Sequence, residues 1–370
     1  MMPWRQVGRF EPTPPGGTMP QLATLKRQVS PQRVVKENRA KATRVLHERN
    51  CSVGRTVAIL SDSWAFLVLR ESYFGATRFE TFQLALGIPR QTLTQRLRVL
   101  TAQGLLRRVQ YSDRPKRSEY RLTTMGLDLY PVMLALLAFG DKWLRRSKKP
   151  PVQLVHNLCG SVCHPIVACS HCKEEVNSRS VKYRDGPGAG VTPVLAGKRY
   201  RRSSDPAVLD RGRPSMVAET LKIIGDRWTF MVITEAFFGI RQFDQWQQKL
   251  RIAPNILTDR LNRLVADGIF ERRKYQDLPE RFEYRFTEMG KDLYGALIAM
   301  LRWGDRWLSR DEPPLILTHY GCDADFQATV ICDKCRQLLR AKDMSYRLNY
   351  RPKEDGRPKK PGRPAAAEGR

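Results

Sequence analysis

The sequence predicts a mainly α protein with small β-hairpins, an α+β chain in which one domain occurs twice and each copy is followed by a small Cys/His module. Three observations carry that expectation: self-similarity at one fixed offset, helical spacing of apolar residues that gives way to short strand-like runs, and Cys/His pairs that recur in both halves. The stretch "DSWAFLVLRESYFGATRFETF" (62–82) returns as "DRWTFMVITEAFFGIRQFDQW" (226–246). The register holds from Trp64 to Trp228, an offset of 228 − 64 = 164, and carries Phe79, Leu97, Tyr120, Gly126 and Trp143 onto Phe243, Leu261, Tyr284, Gly290 and Trp307. Past the last pair it drops by one, and His156, Cys159, Cys169 and Cys172 match His319, Cys322, Cys332 and Cys335. So long a period is tandem duplication, since solenoid repeats run to about 20–50 residues.

Within the first copy, Val57, Leu60, Trp64, Leu67 and Val68 form one face of a helix expected over about 53–74. A short helix follows from Phe79 to Leu86 and ends at Gly87. Pro89 then suits the first position of a new helix through "PRQTLTQRLRVLTAQ". Two helices joined by a tight turn make a helix-turn-helix. Gly104 closes the second; "LLRRVQY" (105–111) and "SEYRLT" (118–123) read as two strands around a basic loop, a wing. A last helix starts near Thr123 and shows Leu127, Tyr130, Leu134, Leu137 and Trp143 on its apolar side. Trp64, Trp143, Trp228 and Trp307 read as core or dimer interface.

Composition narrows the function. Across 370 residues, 65 Lys and Arg face 37 Asp and Glu, a formal charge of +28 that calls for a polyanionic partner, nucleic acid first and acidic membrane second. The longest apolar run, around 129–140, is shorter than the roughly 20 residues of a spanning helix. The N-terminus lacks the pattern of a secretory signal, so a reducing cytoplasm is expected, where eight cysteines serve as thiols or metal ligands. The expected domains are a flexible basic segment (1–50), a first winged domain (51–146), a first ribbon (147–185) and a linker (186–214). A second winged domain (215–310), a second ribbon (311–350) and a basic tail (351–370) complete the chain. Two basic stretches, "RGRP" (211–214) and "GRPKKPGRP" (356–364), are similar to minor-groove AT-hook arms.

With "ILSDSWAFLVLRESYFGATRF", "LTQRLRVLTAQGLLRR" and "SEYRLTTMG", and again "IIGDRWTFMVITEAFFGIRQF", "LTDRLNRLVADGIFERR" and "FEYRFTEMG", the chain resembles the HxlR-type winged helix-turn-helix regulators of bacteria. The resemblance covers 51–146 and 215–310. It implies a transcriptional regulator of double-stranded DNA, by default a repressor, on the bacterial nucleoid. Family members commonly carry one such domain and dimerise through terminal helices, so a tandem chain is expected as a homodimer or an intramolecular pseudo-dimer. In such domains the second helix of the motif enters the major groove. That points to Arg90, Gln91, Thr92, Gln95 and Arg96, and to Asn255, Ile256, Thr258, Asp259 and Arg260 in the second copy. Wing residues Arg114, Lys116, Arg117 and Arg281 are expected on phosphates. Asp259 and Glu280 replace Gln95 and Lys116, so the first copy is expected to bind more strongly.

"HNLCGSVCHPIVACSHC" (156–172) and "HYGCDADFQATVICDKC" (319–335) share H-x-x-C, nine residues, then C-x-x-C. Three thiolates and an imidazole make a Cys₃His set for structural zinc, expected within each copy and therefore for up to two ions. Reduced core thiols or a redox C-x-x-C pair are the other readings. Cys163, His164 and His171 occur only in the first copy and read as bystanders or occasional substitute ligands. Cys51 reads first as core filler; some family members sense oxidants through a Cys there, which makes it a candidate redox thiol with Arg55 one turn on to lower its pKa. No Walker loop, nucleotide-binding glycine motif or paired-carboxylate site is found, so no enzyme is expected. The alternative function is a metal- or redox-responsive sensor or adaptor in which one winged domain has lost DNA binding.

Overall fold

Asp62 breaks the first expected helix in two. Its carboxylate caps the second half by accepting from the Ala65 amide at 3.0 Å, and the chain bends by 84° there. The capping preference of Asp outweighs an apolar period that runs straight through it. In a computed structural model, which describes residues 45–145, 147, 149–195, 206–309 and 312–350, the first copy runs β1 (Val45–Arg49), α1 (Ser52–Leu60), α2 (Ser63–Tyr73), α3 (Phe79–Leu86) and α4 (Arg90–Ala102). A hairpin of β2 (Leu106–Asp113) and β3 (Lys116–Leu122) leads into α5 (Thr124–Asp128) and α6 (Tyr130–Trp143). The first ribbon follows as β4 (Val152–His156), β5 (Ser161–Val162), β6 (Pro165–Cys169) and β7 (Val181–Asp185), then β8 (Val191–Leu195) and a 3₁₀ turn, Pro206–Asp210.

The second copy repeats this as α7 (Met216–Ile224), α8 (Arg227–Phe237), α9 (Phe243–Leu250), α10 (Pro254–Ala266), β9 (Phe270–Gln276), β10 (Arg281–Phe286) and a continuous α11 (Glu288–Leu308). Its ribbon is β11 (Leu315–His319), β12 (Ala324–Phe326), β13 (Ala328–Cys332) and β14 (Met344–Leu348). Both halves of the sequence thus fold as winged helix-turn-helix heads. The "GRPKKPGRP" stretch, residues 1–44 and the tail from 351 lie outside the described residues.

The heads meet through their outer helices: α1 of the first packs on α11 of the second, α7 on α6, and α6 on α11. Glycine lets the backbones approach. A Cβ on Gly304 would sit 2.4 Å from the Ser52 carbonyl oxygen, and one on Gly140 the same distance from that of Met216. Matched bonds cross the seam: the Thr56 hydroxyl donates to Met300 O at 3.0 Å and that of Thr220 to Leu136 O at 2.9 Å. The Trp307 and Trp143 indoles donate to Asp128 and Asp292, each at 2.8 Å. Since 307 − 143 and 292 − 128 both equal the repeat offset, the seam is a pseudo-dyad. The stretch Thr124–Trp143 is long and apolar enough to cross a bilayer, yet more than half of it is buried, α6 packing on α7 and α11.

Two half-buried aspartates flank the seam at matching positions. Asp141 and Asp305 each leave one carboxylate oxygen buried without a partner, and burial pushes both pKa values up to about 6. The folded state therefore holds these protons to higher pH than the unfolded chain does. Their contribution to stability is fully present below about pH 4 and is lost as pH rises through about 6. Asp141→Asn and Asp305→Asn should each raise stability by about 1–2 kcal/mol at pH 7.5 and change little at pH 4, in chemical denaturation. A wild-type stability curve with no fall across that window would contradict the assignment.

Segments expected to be free are folded. β1, inside the expected flexible segment, pairs with β8, inside the expected linker. Each segment leading into a copy packs on the other head: Arg213 lies 4.1 Å over the Phe74 ring and Arg49 4.6 Å over that of Phe238. The ribbons are equally interleaved. β6 pairs antiparallel with β13, β7 with β11 and β14 with β4, so they form one joint module in place of the two separate ribbons expected.

Candidate nucleic-acid interface and metal centres

In the first head Gly87 takes the left-handed turn (φ +57°) between α3 and α4, and Pro89 caps α4 instead of opening it. Leu93, Leu97 and Leu100 are buried along one side of α4, which turns Arg90, Gln91, Thr94, Gln95 and Arg98 to solvent. The Arg90 guanidinium lies 5.0 Å over the Phe79 ring. α10 buries Leu257, Leu261 and Leu264 in the same way and exposes Asn255, Thr258, Asp259, Asn262 and Arg263. Thr92 and Ile256 are half-buried.

Arg96 and Arg260 are corrections to the expected readers. Arg96 Nε sits 2.8 Å from the carboxylate of Asp62 and Arg260 Nε 3.0 Å from that of Asp226. Both side chains are about 15% exposed, and each ties its recognition helix to the cap of the helix beneath. At about 100° per residue, position 96 lies only about 40° around the helix from Leu100, on the inward flank. Sequence reasoning overlooked Arg98, although position 98 is one turn beyond Thr94 and two beyond Gln91, on the exposed stripe.

The wings differ in charge. β2 and β3 are longer than expected, leaving Arg114 and Pro115 at the tip and placing Lys116 and Arg117 on β3; Arg114, Lys116 and Arg117 are exposed. In the second wing Arg281 is exposed, while Lys274 is held by Asp277 at 3.0 Å and Glu280 at 3.1 Å. The second tip is thus largely self-neutralised. The "RGRP" arm (211–214) is not free: Arg213 is forked onto the buried Glu71 of α2. Cys51 caps α1, its sulfur accepting from the Gly54 amide at 3.3 Å, and burial raises its pKa. Arg55 turns instead to Leu308 O and Ser309 Oγ, so no activated thiol is built there.

The Cys/His residues form two clusters, and neither lies within one copy. One holds His156, Cys159, Cys332 and Cys335, the other Cys169, Cys172, His319 and Cys322; within each, the donor atoms all lie within 4.8 Å of one another. The expectation of one Cys₃His set per copy is therefore corrected. The reason is β6, an extended strand of five residues that spans roughly 17 Å and holds the H-x-x-C and C-x-x-C of one copy at opposite ends. Antiparallel β13 brings the complementary half to each end, with Cys169 opposite Ala328 and Cys332 opposite Pro165.

The geometry suits a tetrahedral ion. Cys159 and Cys332 sulfurs are 3.9 Å apart, as are those of Cys169 and Cys322. Sulfur-to-Nδ1 distances run from 3.2 Å (Cys335 to His156) to 3.6 Å (Cys322 to His319). With zinc–sulfur bonds of about 2.3 Å, tetrahedron edges come to roughly 3.8 Å between sulfurs and slightly less to nitrogen. Backbone amides of His171 and Lys334 donate to Cys169 and Cys332 Sγ at 3.4 Å, which favours thiolate. His156 Nε2 is buried without a partner, whereas its Nδ1 faces two sulfurs. Cys163 is buried beside the first cluster, and burial together with the Cys332 charge pushes its thiol up to about 12, so it stays a neutral bystander. Both clusters can hold a metal ion.

Two paired winged heads with solvent-facing recognition helices define a DNA-binding transcriptional regulator of the winged helix-turn-helix class. The profile of the HxlR-like helix-turn-helix family matches twice, at 59–148 and 223–312. An uncharacterised HTH-type transcriptional regulator of Mycobacterium bovis is 45% identical over 137 residues, covering 37% of this chain and 87% of the relative. Another from Synechocystis is 38% identical over 98 residues, 26% of this chain and 73% of the relative. Among solved structures, the reduced redox regulator HypR is 32% identical over 25% of this chain and 92% of its own, with a TM-score of 0.24. A Pseudomonas aeruginosa protein is 38% identical over 25% of this chain, with a TM-score of 0.22, and the match spans 63% of it, just under two thirds of its length. The chain belongs to the HxlR-like helix-turn-helix family.

Proposed function

We propose that the chain is a sequence-specific repressor on the bacterial nucleoid in which one polypeptide does the work of a dimer. The observation that carries this reading is the pseudo-dyad, which gives one molecule two opposed recognition helices without a second chain. A two-fold arrangement of readers calls for an inverted pair of half-sites. Asp259 and the neutralised second wing make those halves unequal, with α4 the stronger reader and α10 the weaker. Arg90, Gln91, Gln95 and Arg98 face the base edges, and Arg114, Lys116 and Arg117 hold phosphates. Asn255, Thr258 and Arg281 serve the weaker half-site. Each Cys₃His cluster holds one zinc ion, which supplies no reaction chemistry and pins β6 to β13 across the dyad.

Selection from randomised duplexes should return an imperfect inverted repeat bound by monomeric chain. Arg90→Ala with Gln95→Ala should weaken binding by about 10- to 100-fold and relax specificity in the stronger half only, because a good bidentate base contact is worth about 1–3 kcal/mol. Recovery of no motif would sink the regulator reading, and a chain that dimerises to bind would sink the single-chain one.

A further inference from the structure

The arm before α7 is built onto the first head with more care than a linker needs. Arg70 reaches across from α2 and donates to the carbonyl oxygens of Arg211 and Arg213, both at 3.1 Å. Gly212 adopts φ +76°, and a Cβ there would stand 2.7 Å from Arg70 Nη2 and 3.1 Å from Ala85 O, so only glycine fits. These contacts fix the backbone on either side of Gly212 and leave the Arg211 side chain exposed.

That side chain has a defined place. Arg211 Nη1 donates to the carbonyl of Gly87 at 3.1 Å, and its guanidinium carbon lies 5.3 Å from the Trp64 ring. Gly87 is the turn that leads into α4, three residues before exposed Arg90 in the chain, so the charge stands beside the N-terminal end of the recognition helix. Arg211 is exposed and has no acidic partner among the described residues, whereas neighbouring Arg213 and Arg96 are neutralised by Glu71 and Asp62. One Gly87 bond leaves four of the five guanidinium N–H donors for another acceptor. At the matching position in the segment that leads into the first head, 211 − 164 = 47, the sequence has His47, which is not permanently charged.

We propose that Arg211 is a DNA-backbone contact: the linker supplies a guanidinium that grips a phosphate at the edge of the half-site read by α4. The proposal rests on α4 being a DNA-reading helix, and it gives a second physical reason for the first head to dominate. It also assigns the RGRP arm a role other than insertion into the minor groove, since Gly212 and Arg213 are already committed to protein.

The test uses the full chain and the duplex that it selects, with affinity measured over a series of salt concentrations. Arg211→Ala should weaken binding about three- to tenfold on every sequence tried and reduce the slope of log K against log salt by about 1, with the melting temperature unchanged. Arg211→Lys should keep the slope. Ethylation interference should lose one phosphate next to the stronger half-site. Wild-type affinity and slope in Arg211→Ala, while Arg90→Ala still weakens binding, overturn this inference alone. A loss confined to A/T-rich flanks overturns it in favour of minor-groove insertion. A wild-type chain that selects no duplex overturns the regulator reading beneath it.

Discussion

Cys159→Ser combined with Cys172→Ser should leave the protein with no bound metal, although both residues belong to the first ribbon. Cys159 sits with His156, Cys332 and Cys335, and Cys172 with Cys169, His319 and Cys322, so the pair strikes both centres. Cys159→Ser combined with Cys335→Ser strikes one centre twice and should retain one ion. Ligand sets confined to one copy would reverse the two outcomes, which makes metal content by mass spectrometry decisive. The effect on folding should be large, because apparent binding energies for structural zinc run to about 10–16 kcal/mol in small domains. Chelation should therefore loosen the β6–β13 seam and lower the melting temperature, and because the ribbon strands share one continuous core with both heads the loss should reach α6 and α11 as well.

Glu71→Gln should destabilise the fold by about 3–5 kcal/mol. The Glu71 carboxylate is 2% exposed and lies between Arg70, at 3.0 Å, and Arg213, at 2.8 Å, whose side chains are 3% and 15% exposed. Neutralising it leaves two guanidinium groups in a buried site with no counter-charge, and a buried pair broken from one side costs about that much. Glu235 provides the control. It occupies the equivalent place, but Thr234 stands where Arg70 does, and burial raises its pKa, so Glu235→Gln should cost far less or stabilise. Denaturant titration of the two variants would decide, and equal losses would show that the buried arginines are not what matters.

The heads were legible in the sequence because their signals are local. Helical spacing, Gly87, Gly104 and the strand pair 105–123 each act within a few residues, and duplication displayed them twice. The break at Asp62 was legible in principle, as a capping residue within an apolar run. Arg96 was read as a base contact because an arginine on a recognition helix has the same one-letter code whether it faces a guanine or an aspartate 34 residues earlier. Deciding between them required the Asp62 carboxylate at 2.8 Å.

The sequence by itself determined the winged fold, its duplication, the identities of the eight metal-ligand candidates and the charge that calls for DNA. Only the tertiary structure decided how the copies share parts: which half-ribbon completes which cluster, which head each arm packs on, and that Gly140 and Gly304 bring the copies together. Spacing measures separation along one chain, and an intact H-x-x-C…C-x-x-C pattern is the same whether its halves close on themselves or on a partner. The extended strand β6 between them excludes the first and permits the second, and that follows from strand geometry and antiparallel pairing with β13.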